Sequence, residues 1–107
     1  MKTTELEIIN KAIIKNGVQA QVDVAIEEMS ELIKALLKYR RGGSDNKLYA
    51  DIIKEIADVE IMLDQLKILY HEASYMQSVE EVKKYKLLRL AKRLGMNVTE
   101  IAEDGNE

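Results

Sequence analysis

Apolar residues recur at helical spacing along nearly the whole chain, and polar punctuation divides them into four segments. The first opens at Thr4. Thr4-Glu5-Leu6-Glu7 has the pattern of a capping box, in which the Thr hydroxyl and the Glu carboxylate satisfy free backbone N–H groups at a helix start. Leu6, Ile9 and Ile13 follow at helical intervals, with Ile14 alongside. Asn16-Gly17 is a stop, because glycine accepts the left-handed backbone beyond a helix end. A second helix is predicted from about Val18 to Tyr39, where Val22, Ala25, Ile26, Met29, Leu32, Ile33, Leu36 and Leu37 keep the rhythm of one buried stripe.

With Met29 at 0° and roughly 100° per residue, that stripe spans roughly −60° to +80°. Asp23, Glu27, Ser30, Lys34 and Lys38 collect on the solvated side. Glu28 falls near −100° and Glu31 near −160° on the same wheel, at about 100° per residue. The adjacent glutamates are therefore not equivalent: Glu27 points to water and Glu28 sits beside the stripe.

Gly42-Gly43-Ser44-Asp45-Asn46 is a turn signal, and Ser44, Asp45 and Asn46 are each able to cap the next helix. So short a connection favours antiparallel neighbours. The third helix is predicted from about Lys47 to Tyr70. Its main stripe is Leu48, Ile52, Val59, Leu63, Leu66 and Tyr70, with Glu55 inside it and Asp58 near its edge. Ile53, Ala57, Ile61 and Ile68 form a second apolar strip. A helix apolar on more than one side is central or lies in an interface, which predicts a homo-oligomer in which the third helix is covered twice. After a connection at His71 to Gln77, Ser78-Val79-Glu80-Glu81 repeats the capping-box pattern and starts a fourth helix that stops at Gly95. Leu87, Leu88, Leu90, Ala91 and Leu94 pack one way, and Lys86, Arg89 and Arg93 share the opposite face.

The candidate chemistry follows from counting outward from Gly43. Glu31 and Glu55 each stand twelve residues away, and Glu28 and Asp58 each stand fifteen away. In an antiparallel hairpin the four carboxylates then lie level in pairs, roughly 18–22 Å from the turn. Glu28 has Val24 and Leu32 at four residues' distance, and Glu55 has Asp51 and Val59, so neither has a basic partner on its own helix. An unpaired ionised carboxylate beside an apolar stripe is costly. An acidic cluster without Lys or Arg needs shared protons or a cation. Two carboxylates on each of two facing helices suit a hard divalent cation, and Mg²⁺ in such a site keeps positions for water and phosphate oxygens. The ion screens phosphate charge and acidifies an attacking water, and a spare carboxylate takes that water's proton.

Composition narrows the class. The 107 residues, without proline and with five glycines, predict a single all-α four-helix domain over 1–96 and a polar acidic tail over 97–107. Cysteine is absent, which removes disulfide frameworks and thiolate metal sites. The net charge of −3, with both signs interspersed, gives no nucleic-acid footprint. No apolar run approaches the roughly 18 residues of a membrane span, and Met1 to Glu5 lacks a signal peptide's apolar region. A cytoplasmic protein is the expectation. His71, at a helix end, suits a contact with the helix dipole. The tyrosines are able to stack on a base, but the sequence does not choose among them.

Gln21-x-x-x-Ala25-Ile26-Glu27-Glu28-x-x-Glu31, followed by Glu55-x-x-Asp58, resembles the MazG-like all-α nucleoside triphosphate pyrophosphohydrolases. The resemblance covers residues 18–70 and, loosely, 78–94. It implies a helical bundle that cleaves a (deoxy)nucleoside triphosphate between the α- and β-phosphates, giving monophosphate and pyrophosphate. It also implies dependence on Mg²⁺, with Mn²⁺ as a substitute, and dimers or dimers of dimers with the site near the interface. By position, Glu28, Glu31, Glu55 and Asp58 would hold the metal, and Glu28 or Glu31 would also activate the water. Lys86 and Arg89 match basic positions that hold phosphates in related proteins, while Tyr85 stands where an Asn is expected. The same chemistry includes dUTP- or dCTP-directed enzymes and phosphoribosyl-ATP pyrophosphohydrolases. Outside it stands a non-catalytic helical interaction protein that keeps the carboxylates for structure.

Overall fold

A computed structural model describes residues 3–43, 45–71 and 77–102. All regular structure among them is helical: α1 (Glu5–Asn16), α2 (Val18–Gly42), α3 (Asn46–Leu69) and α4 (Val79–Arg93). The chain divides into two compact units, Met1–Tyr70 and His71–Glu107. The proposed Ser44 cap, Tyr75 and the rest of 72–76, and tail residues 103–107 lie outside the described residues.

In the first unit each helix begins where the sequence predicts. The Thr4 hydroxyl accepts from the Glu7 N–H at 3.1 Å, and Glu7 accepts from the Thr4 N–H at 2.9 Å. α1 ends against Gly17, whose φ of 90° and ψ of 157° place it in a region only glycine occupies readily. One residue thus closes α1 and opens α2. At the other end Gly43, with φ of 76°, turns the chain. Asp45 caps α3 by accepting from the N–H groups of Lys47 and Leu48 at 2.7 and 3.2 Å. Beside this turn the Tyr39 and Tyr49 rings meet edge to face, 5.8 Å between centroids.

α2 and α3 form the hairpin that dominates the unit, and α1 touches both. The face on which they meet differs from the expected one. Along α2 a covered series runs through Gln21, Ala25, Glu28, Leu32, Ala35 and Tyr39, alternating four and three residues apart, the 3.5-residue repeat of a coiled-coil seam. Val22, Met29 and Glu31 are half-buried on either side of it. Along α3 the matching series is Glu55, Asp58, Met62, Gln65 and Leu69, and Leu48, Ile52, Val59 and Leu66 of the expected stripe are half-buried beside it. At about 100° per residue these seams lie roughly 100° from the middle of the apolar stripe on α2 and roughly 75° from that on α3. The stripe predicted as core is therefore only partly covered within one chain: Ala25 is buried and Val22, Met29, Leu32, Leu48, Ile52, Val59 and Leu66 are half-buried, whereas the outer part of the stripe is exposed. Ile26 is 62% exposed and Ile33 58%, and Ile56 and Leu63 are exposed too. The small Ala25 and Ala35 let the helix backbones approach, and polar residues fill much of the remaining seam.

The second unit is built on α4. Ser78 and Glu81 form the second capping box, with bonds of 2.9 and 3.1 Å. The helix closes in a Schellman motif, in which Gly95 N–H donates to the Lys92 carbonyl at 3.0 Å and Met96 N–H to the Ala91 carbonyl at 2.9 Å. Residues 96–102 then run back along the Leu88 side of the helix.

Candidate metal centre

The hairpin brings Glu28 on α2 together with Glu55 and Asp58 on α3. Each offers an oxygen within 4.8 Å of the other two, and all three are half-buried. Burial raises the Glu28 pKa above its ordinary value of 4.5. The negative charges of Asp58 and Glu55, a carboxyl–carboxyl hydrogen bond with Asp58 and the charge of Glu27 push the same way. Among the described residues no lysine or arginine pairs with the three carboxylates. The ion pair beside them, Lys47 to Asp51 at 3.3 Å, lies one turn nearer Gly43 on α3.

Equal spacing from Gly43 accounts for this geometry. Glu28 and Asp58, fifteen residues either side of Gly43, do face each other. Glu55 joins them from one turn nearer the turn, because it shares the α3 face of Asp58. Glu31, level with Glu55, is half-buried but does not belong to the group of three. Its azimuth explains this: it lies roughly 60° beyond Glu28, on the outer flank of the seam.

The three oxygens suit a hard cation. Opposite ligands are separated by about 4.2 Å around Mg²⁺ and about 4.6–5.2 Å around Ca²⁺, from the usual bond lengths. A group within 4.8 Å therefore needs little movement to close on either. An all-oxygen, all-anionic donor set also disfavours soft metals.

Lys86 and Arg89, the expected phosphate contacts, stand on α4 in the second unit and line different grooves. Lys86 borders an apolar groove of about 600 Å³ with Lys83, Arg93 and the side chains of Val79, Val82 and Leu90. The Arg89 guanidinium lies 5.9 Å from the Tyr85 ring centroid, so Tyr85 orients an arginine instead of supplying an amide.

One pairing is not legible in the apolar pattern of the sequence, although Gln21 itself opens the acidic motif. Gln21 and Gln65 are each 5% exposed, and Gln21 Nε2 donates to Gln65 Oε1. Asn16 Nδ2 donates to Gln21 Oε1 at 3.1 Å. The count that levels the carboxylates would have found them, since each stands twenty-two residues from Gly43.

Comparison with known proteins finds no matching family model, curated protein or solved structure. Among the described residues no helix is long and apolar enough to cross a membrane.

Proposed function

We propose that the chain is a Mg²⁺-dependent nucleoside triphosphate pyrophosphohydrolase of the MazG-like, all-α kind, acting in nucleotide-pool house-cleaning. The observation that carries this reading is the half-buried Glu28–Glu55–Asp58 group, drawn from two helices and without a basic partner. Mg²⁺ bound there would neutralise phosphate charge and make a nearby water more acidic. Glu28, Glu55 and Asp58 hold the ion, and Glu31 joins them by turning inward from the flank of the seam. In this reading water adds across the bond between the α- and β-phosphates, which breaks to give a monophosphate and pyrophosphate. Glu28 or Glu31 takes the proton released by the water. Lys86 and Arg89 hold the departing phosphates.

The exposed aliphatic arcs of α2 and α3 support a homo-oligomer in which a second copy covers them. Those arcs equally favour a non-catalytic interaction protein as the second reading.

The deciding experiment is pyrophosphate release from a panel of ribo- and deoxynucleoside triphosphates, including dUTP, dCTP and damaged bases, with phosphoribosyl-ATP alongside. The panel is run with Mg²⁺ and then with EDTA. Metal-dependent release, with monophosphate as the other product, is expected. No release from any substrate by folded protein would leave the interaction protein as the better reading.

A further inference from the structure

The most buried polar side chains of the hairpin are Gln21 and Gln65, in a seam shared with Ala25, Leu32 and Met62. No buried side-chain nitrogen or oxygen among the described residues lacks a partner. The pair is therefore satisfied, but a satisfied buried amide adds little over an apolar residue of the same shape. What it adds is direction.

Each helix offers two faces. One is the observed seam. The other is the exposed apolar arc of Ile26, Ile33, Leu36 and Leu37 on α2, and of Ile56 and Leu63 on α3. Hydrophobic attraction has no direction, so by itself it would roll both helices until these arcs meet. In that arrangement Gln21 leaves Gln65, and Glu28 turns away from Asp58. A buried polar pair penalises the rolled state because its amides lose their partners, and single polar residues in helix seams are known to fix pairing in this way.

The spacing couples this choice to the carboxylates. Gln21 stands seven residues before Glu28, and Gln65 seven after Asp58. Seven residues are about two turns, so each glutamine shares its carboxylate's azimuth to within about 20° and lies about 10 Å along the seam. Aligning the amides aligns the acids. Asn16 ties the network to the end of α1. We propose that the Asn16–Gln21–Gln65 network selects the face on which α2 and α3 meet, making Gln21 and Gln65 positioning residues that set Glu28 opposite Asp58.

The test uses the full chain, whose lack of cysteine allows clean labelling. Nitroxides at Ser30→Cys and Glu60→Cys, both exposed and opposite the seam, report the helix facing by pulsed EPR. The protein is metal-free and diluted into unlabelled chain. A single distance is expected. The double variant Gln21→Met/Gln65→Met should melt at the same or a higher temperature and show a second distance. Its Mn²⁺ affinity, measured on unlabelled protein, should weaken about tenfold or more. Gln65→Glu, which keeps the acceptor for Gln21, should retain the single distance. An unchanged distance and affinity in the double variant would overturn the proposal. So would its failure to fold, which would make the pair a source of stability instead of selection, or a second distance in Gln65→Glu. The affinity arm rests on the metal-site reading and the distance arm does not. If the wild type ignores Mn²⁺, the metal reading fails while the facing is still decided.

Discussion

Glu28 and Asp58 face each other across the α2–α3 seam with carboxylate oxygens within 4.8 Å, from positions equally far from Gly43. Burial, the neighbouring charges and the Asp58 contact all raise the Glu28 pKa. The folded state then holds the Glu28 proton more tightly than the unfolded one. The resulting stability is fully present below about 4.5 and is lost as pH rises through the higher folded value. Without metal, the melting temperature of the wild type minus that of Glu28→Gln should fall as pH rises from that point towards neutrality. With saturating Mg²⁺, which requires the ionised group, the difference should rise instead. A flat difference in EDTA would refute the raised pKa.

Replacing Glu55 by Gln removes one of three converging charges. Metal-free stability should stay level or increase. In the wild type, Mg²⁺ at a hundredfold its dissociation constant should add about 2.7 kcal/mol, on the order of 10 °C for a chain of this size. Glu55→Gln should lose most of that rise, read by thermal shift. Asp58→Asn should behave alike. A wild type indifferent to Mg²⁺ and Mn²⁺, with and without nucleotide, would remove the metal site.

Lys86→Ala and Arg89→Ala test the phosphate contacts. Loss of one charge-assisted hydrogen bond costs about 1.5–3 kcal/mol, so KM should rise roughly tenfold to a hundredfold if binding alone is lost. Unchanged steady-state kinetics would confine both residues to the surface of α4. Because Tyr85 stacks on Arg89, Tyr85→Ala should produce a weaker version of the Arg89 effect.

The uncovered arcs predict self-association. Ile26 and Ile33 lie two turns apart on one exposed face. Burying each against a second copy contributes about 1.5–3 kcal/mol. Sedimentation should find a dimer or tetramer, and Ile26→Glu/Ile33→Glu should dissociate it while leaving the far-ultraviolet helical signal. A monomeric wild type at micromolar concentration would exclude the oligomer.

Gly17 is predicted to be intolerant of change. Its φ of 90° and ψ of 157° cost other residues about 1–3 kcal/mol. Gly17→Ala should lower the urea midpoint accordingly. It should also disturb the Asn16–Gln21 bond, which spans this junction.

Much of the fold was legible because helix ends are local chemistry. Thr4 with Glu7, Asp45, Ser78 with Glu81, and the glycines at 17, 43 and 95 act within one turn of themselves, and the helices begin or end beside them. The level of the carboxylates was legible too, because a short turn and a constant rise per residue make depth a matter of counting. Which side of each helix faced its neighbour was not. The wheel put Glu55 inside the α3 stripe and Glu28 and Asp58 at the stripe edges, but it centred each face on the apolar arc, whereas the seam is centred on Gln21, Glu28, Asp58 and Gln65.

The sequence by itself therefore determined four helices, their caps and the register of the hairpin, since propensity, capping and rise depend only on near neighbours. Only the tertiary structure decided the azimuth of α2 against α3, which leaves Glu31 on the flank and Gln21 against Gln65. That choice depends on pairing donors with acceptors across forty-four residues of chain, and hydrophobic periodicity, which counts apolar area without direction, does not register it.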